Sequence, residues 1–210
     1  MKYATGQFYH SKNTFADRIY CSEDTFAVAD GMGIGEGGKL AAEKAIELVD
    51  QYRPFVSLED IESFFKRANR KIMSAIDRLG DKHMAGTTLS ILSLVDRRFM
   101  VGHVGDSRIY LWRNGKIKLL TEDQVVFKGG RKYVHALGIE WNPRVLLTEG
   151  ELRERDVFLL ISDGVVEVFS EAELEAMITE DIDESAKKIL QAYRSHNPKE
   201  DLSFVIVGPE

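Results

Sequence analysis

Two segments of the chain share one design, an apolar run that ends in Asp-Gly. Phe26-Ala27-Val28-Ala29 leads into Asp30-Gly31, and Val157-Phe158-Leu159-Leu160-Ile161-Ser162 leads into Asp163-Gly164. A third acid, Asp201, stands just before the apolar run Leu202 to Val207, and Asp106 follows the run Phe99 to Val104. A carboxylate at the end of a buried strand can ligate a metal, and a following glycine lets the backbone turn tightly enough to offer a carbonyl as well. Each Asp taken singly is more often a turn residue. The repeated strand–Asp–Gly design weakens that plain reading. Antiparallel neighbours bring opposite strand ends to the same sheet edge, so Asp30, Asp163 and Asp201 can meet there. Three carboxylates gathered without cations repel one another. A hard divalent ion, Mg²⁺ or Mn²⁺, suits such an all-oxygen site, and no His/Cys spacing points to zinc.

The glycine-rich stretch Asp30 to Lys39 also fits two phosphate motifs. Gly33, Gly35 and Gly38 match G-x-G-x-x-G, and Gly33 to Lys39 matches most of a P-loop. Both fail on context. A P-loop needs Ser or Thr after the Lys to hold Mg²⁺, and residue 40 is Leu. A dinucleotide unit needs a strand after its first helix, and here a second helix follows. Asp30 would also repel a pyrophosphate.

The elements that must position these acids are legible in outline. Thr25 to Ala29 reads as a strand. A helix over about 36–52 carries Ala41, Ala42, Ala45, Ile46 and Val49 on one stripe. A second helix starts at the cap Ser57, repeats Ile61, Phe65, Ala68, Ile72, Ala75 and Leu79, and closes at Gly80. The period then changes to strand-like runs over 87–95, 99–104, 107–112 and 116–120, with Asn114-Gly115 as a two-residue hairpin turn. Residues 125–135 read as a loop. Strands follow over 145–147 and 157–161, then a short helix capped by Ser170 and Glu173, a helix over about 183–193, and a strand over 202–207. Strands not separated by helices imply an α+β fold with antiparallel sheets.

Composition sets the outer bounds. The chain has 210 residues, 44% of them apolar, enough for one domain with a sizeable core. The net charge of −6 argues against a duplex nucleic acid as partner. Cys21 is the single cysteine, so there is no intramolecular disulfide and no thiolate zinc site. No secretory signal and no membrane-length apolar run is visible, so a cytoplasmic protein without a membrane partner is expected.

The ordered set of segments resembles the metal-dependent PP2C-type (PPM) protein serine/threonine phosphatases in their compact bacterial form. The matching segments are 26–33, 85–89, 102–110, 119–124, 136–138, 160–165 and 200–203. The resemblance implies a four-layer α/β/β/α sandwich, two antiparallel sheets with helix pairs outside, as a single domain over 1–210. It implies two Mn²⁺ or Mg²⁺ ions, with Asp30 bridging them, the Gly31 carbonyl on one, Asp163 and Asp201 on the other, and Asp106 as ligand of a third. It implies attack of a metal-bridging water on phosphoserine or phosphothreonine. Ser162 and Ser203 are then neighbours of ligands and not nucleophiles.

The chain departs from the family near its N-terminus. Typical members carry an Arg followed by Asn-Glu-Asp there. Aligning on Phe15 puts Phe8 at the Arg, Lys12 near the Glu and Asn13 near the last Asp, with Lys12 or His10 as replacement phosphate ligands. Met32 stands where many eukaryotic members have a His. The loop 125–135, which carries Lys128, Arg131 and Lys132, is shorter than the flap of many bacterial relatives. The expected partner is a phosphorylated protein, either a Ser/Thr kinase target or an anti-sigma-antagonist-like protein. The competing readings are a phosphoprotein-binding module with little turnover and a hydrolase of small phosphoesters.

Overall fold

The structure is a computed structural model, and it describes residues 1–9, 15–33, 36–80, 85–196 and 201–209. In chain order the elements are β1 (Lys2–Phe8), β2 (Arg18–Cys21), β3 (Thr25–Ala29), β4 (Gly31–Gly33), α1 (Gly37–Tyr52), α2 (Leu58–Leu79), β5 (Ala85–Thr87), β6 (Leu89–Val95), β7 (Arg98–Val104), β8 (Arg108–Arg113) and β9 (Lys116–Leu119). They continue as β10 (Val125–Lys128), β11 (Arg131–Val134), β12 (Leu146–Glu151), β13 (Val157–Ile161), α3 (Asp163–Val168), α4 (Glu171–Met177), α5 (Ile182–Ser195) and β14 (Leu202–Gly208).

Two five-stranded antiparallel sheets dominate. One has the order β1-β14-β13-β8-β9 and the other β12-β7-β6-β3-β2. Their central strands read as unbroken apolar runs because both faces are covered. Along β13, Val157, Leu159 and Ile161 face a core shared with α4 and α5, while Phe158 and Leu160 face the opposite sheet. Along β3, Ala27 and Ala29 pack under α1 and α2, while Phe26 and Val28 join the core between the sheets. Phe99 and Phe158 meet edge-on across that seam, 5.3 Å between centroids. Three stacked cores thus make the four-layer sandwich. A helix pair, α1 and α2, covers one sheet; the other is covered by α5 with the short α3 and α4.

The local signals that frame the site are present. Ser57 Oγ accepts from Asp60 N–H at 3.1 Å, and Gly80 ends α2 at φ 85°. Asn114 and Gly115 turn β8 into β9 with φ of 53° and 78°. The strand-like run over 87–95 breaks at Thr88. Before it β5 pairs with β4, and after it β6 pairs with β3. The expected loop 125–135 is instead the hairpin β10–β11, turned by Gly129-Gly130 with φ of 60° and 75°. β1, β2, β4 and α3 also go beyond the elements read from sequence.

Candidate metal centre

Asp30 leaves β3 with its backbone pinned. Its N–H donates to Thr88 Oγ1 at 3.0 Å, and its carbonyl accepts from Thr88 N–H at 2.9 Å and Thr87 Oγ1 at 3.0 Å. The glycines after it serve a close approach. A Cβ on Gly31 would lie 2.3 Å from the Gly38 carbonyl oxygen, and one on Gly38 would lie 2.8 Å from that of Met32. The glycine-rich stretch therefore lets the start of α1 lie directly on β4, which is the structural role left once the phosphate motifs fail.

Asp163 opens α3 straight after β13. Ser162 N–H donates to the Ser203 carbonyl at 2.9 Å, and Ser203 N–H donates to Ser162 Oγ at 3.0 Å. This pair ties the end of β13 to the start of β14, the strand that Asp201 precedes. The antiparallel argument thus holds for Asp163 and Asp201, which belong to one sheet. It does not extend to Asp30, which ends a strand of the facing sheet. The acids meet across the two sheets, not along a single edge, because the packed sheets bring both sets of strand ends to the same end of the sandwich.

A fifth acid joins them. Asp17, just before β2, is 3% exposed. The Ser162 and Ser203 hydroxyls bond its carboxyl, and the charges of Asp163 and Asp201 reach it. Both hydroxyls already accept from N–H groups, Ser203 Oγ from Gln7 Nε2 at 3.1 Å, so their protons point to Asp17. Its Oδ2 is buried without a hydrogen-bond partner. Burial pushes the Asp17 carboxyl up to about 6 against these hydroxyl bonds. Asp30 keeps partial solvent access, yet crowding protein atoms raise its pKa well above the carboxylate range. The charges of Asp17, Asp163 and Asp106 add to this, as does a side-chain hydrogen bond with Asp163.

Asp106 sits at a built turn. Gly105 takes φ 120°, its N–H donates to Gln124 Oε1 at 3.1 Å, and its carbonyl accepts from Gln124 N–H at 2.7 Å. Burial raises the Asp106 carboxyl, and Lys132 counteracts it. Lys132 Nζ lies 2.6 Å from Asp106 Oδ2 and 3.9 Å from Asp163 Oδ2.

The carboxylates share one field without forming a finished coordination shell. Among the described residues no group of three His, Cys, Asp or Glu side chains is drawn together closely enough to hold an ion as it stands. The Lys132 ammonium is the cation that stands among them, 2.6 Å from Asp106 Oδ2. The all-oxygen donor set, the orphaned Asp17 Oδ2 and the raised carboxyls all fit a divalent cation. Lys12, Asn13 and His10 lie outside the described residues. Phe8 packs edge-on against Tyr193, 5.6 Å between centroids, on the helix side of its sheet. Burial pushes the Cys21 thiol up to about 12, which leaves it inert.

Sequence reasoning missed Asp17 because no apolar run leads into it. One signal was available. Asp17 stands immediately before a short strand, as Asp201 does.

A family model described as protein phosphatase 2C matches residues 14–203. The serine/threonine protein phosphatase PstP of Mycobacterium tuberculosis H37Rv is 30% identical over 206 residues, covering 87% of this chain and 40% of PstP. The chain therefore spans less than half the length of that relative. The serine/threonine phosphatase stp of Listeria monocytogenes EGD-e is 27% identical over 207 residues, covering 86% of this chain and 82% of stp. Among solved structures, PstP of M. tuberculosis superposes with a TM-score of 0.89 at 22% identity, covering all of this chain and 98% of that one. The PstP catalytic domain in complex with two manganese ions superposes at 0.86 with 24% identity, covering 98% and 96%. These superpositions show a common fold, and the match over 14–203 places the chain in the protein phosphatase 2C family.

Proposed function

We propose that the chain is a divalent-metal-dependent phosphatase of phosphoserine and phosphothreonine in proteins. The observation that carries this reading is the meeting of Asp17, Asp30, Asp163 and Asp201 at one end of the sandwich, with a buried carboxylate oxygen left without a partner. Such a site is balanced only by cations. The manganese in the PstP structure and the names of PstP and stp supply the ion and the substrate class.

Asp30, the Gly31 carbonyl, Asp163 and Asp201 would hold the ions, and Asp17 joins them. Divalent ions held there would supply a water of lowered pKa as nucleophile at neutral pH and would offset phosphate charge in an in-line displacement. The residues of the chain bind and orient. Ser162 and Ser203 fix Asp17 through their hydroxyls, and Thr88 fixes Asp30. Taking Asp17 as the last acid of the family's N-terminal cluster shifts that alignment by four residues. The position of the Arg then falls on Lys12, a cation that can take substrate phosphate, and Asn13 loses its assigned role. Phe15 and Ala16 replace the Asn and Glu, which is the feature that favours the second reading, a phosphoprotein-binding module with little turnover. The natural substrate is the product of a Ser/Thr kinase, with an anti-sigma-antagonist-like protein one instance.

The test is hydrolysis of p-nitrophenyl phosphate and of a phosphopeptide panel with Mn²⁺ or Mg²⁺. Asp30→Asn, Asp163→Asn and Asp17→Asn are each expected to cost more than about 100-fold in kcat/KM. Full activity in excess chelator overturns the metal-dependent reading. Ion binding without phosphate release from any phosphopeptide selects the binding module, and a preference for metabolites over phosphopeptides selects the small-phosphoester hydrolase.

A further inference from the structure

The hairpin β10–β11 carries Lys128, Arg131 and Lys132 and no acid between Val125 and Val134. Its outer side chains are open, with Phe127 73% exposed. Its root is not. Gln124, just before β10, holds both backbone groups of Gly105, and His135 N–H, just after β11, donates to the Gln124 carbonyl at 2.9 Å. The turn that presents Asp106 and both ends of the hairpin are thus one hydrogen-bonded unit. Pairing of Phe127 with Lys132 fixes the register within the hairpin. The ammonium of Lys132 is therefore delivered at a set reach, 2.6 Å from Asp106 and within 3.9 Å of Asp163.

We propose that Lys132 is a built-in cation that occupies, at Asp106, the place the family resemblance gives to a third divalent ion. The protein then works with two ions and one lysine. This inference rests on the two-ion reading above. A cation on a short tether acts at an effective concentration in the millimolar range. A free ion must displace it, lose water, and gain only the carboxylates that Lys132 already neutralises. An ion held weakly at Asp106 loses that competition, whereas ions shared by Asp30, Asp163, Asp201 and Asp17 meet the lysine only at the far end of its reach, 3.9 Å from Asp163.

The experiment counts Mn²⁺ bound to the full chain by calorimetry and by electron paramagnetic resonance, up to millimolar free ion. The wild type is expected to bind two. Lys132→Met is expected to bind a third, at least about tenfold tighter than any residual third site in the wild type, and Lys132→Arg to remain at two. Asp106→Asn in the wild-type background is expected to leave the count at two, which provides a test independent of how Lys132→Met folds. Three ions in the wild type, two in a folded Lys132→Met, or loss of an ion in Asp106→Asn overturns the inference while leaving the phosphatase reading intact. A wild type that binds no ion overturns both.

Discussion

His103 shows how a single buried residue sets the geometry beside the acids. Its ring sits between Ser90 Oγ, 2.8 Å from Nδ1, and the carbonyls of Gly105 and Glu122, 3.0 and 3.1 Å from Nε2. Two carbonyls at Nε2 require the proton there, so Nδ1 accepts from the Ser90 hydroxyl and the ring is neutral. Burial pulls its pKa down to about 4, against a partial pull upward from the two carbonyls. The unfolded chain takes up this proton near pH 6.5, before the folded one does. The stabilisation is therefore complete above about 6.5 and is lost as pH falls toward 4, a change on the order of 3 kcal/mol. Urea midpoints measured from pH 7 to pH 4 are expected to fall steeply for the wild type. For His103→Asn they should start lower and fall less. A parallel decline in the two proteins would show that His103 is not the group responsible. The same scale explains which acids were legible. Asp30, Asp163 and Asp201 adjoin long buried strands that announce themselves by composition. Asp17 adjoins Arg18-Ile19-Tyr20-Cys21, a half-buried edge strand, and its hydroxyl partners, Ser162 and Ser203, come from the end of β13 and from β14, far along the chain.

Among the elements, helices with caps and strands with two covered faces follow from local pattern. Ser170 and Glu173 form a reciprocal capping box, and α5 is capped by Asp181, which accepts from Glu184 N–H at 3.0 Å. The edge strand β1 does not follow from pattern. Its inward positions are Ala4, Gly6 and Phe8, and Gly6 adds no apolar signal because the Phe204 ring fills its place, 2.3 Å from where a Cβ would be. The hairpin β10–β11 carries a signal in Gly129-Gly130 between β-rich runs, but almost all of its side chains are exposed, so no apolar alternation marks its strands. The close contact of α1 with β4 can be opened by a single methyl group. Gly38→Ala is expected to push the helix off the strand, cost about 1–3 kcal/mol in urea denaturation, and weaken Mn²⁺ binding through Gly31. Unchanged stability with unchanged ion affinity would show that the close approach is not required.

The whole molecule is two sheets held by a shared apolar core and covered by helices. Its acidic balance takes on a different meaning once the site is seen. Several of the 34 acidic residues are gathered at one end and are not dispersed surface charge. Among the described residues no helix is long and apolar enough to cross a membrane. Asp17 and Asp30 stand at the ends of strands of one sheet, and Asp163 and Asp201 at the ends of strands of the other. An ion held among them is a cross-link between the two halves of the sandwich, closed only after the halves have docked. Its effect should reach beyond chemistry. Amide hydrogen exchange at the end of β13 and the starts of β14 and β2 is expected to slow on adding Mn²⁺ and to recover with chelator. Saturation at a hundredfold excess over Kd should stabilise the fold by about 2.7 kcal/mol. Slowing confined to β13 and β14, or to β2, would place the ion on one sheet alone. If the rates respond, the ion acts as a clasp, and the cell's supply of divalent metal sets how long the folded protein survives as well as how fast it turns over.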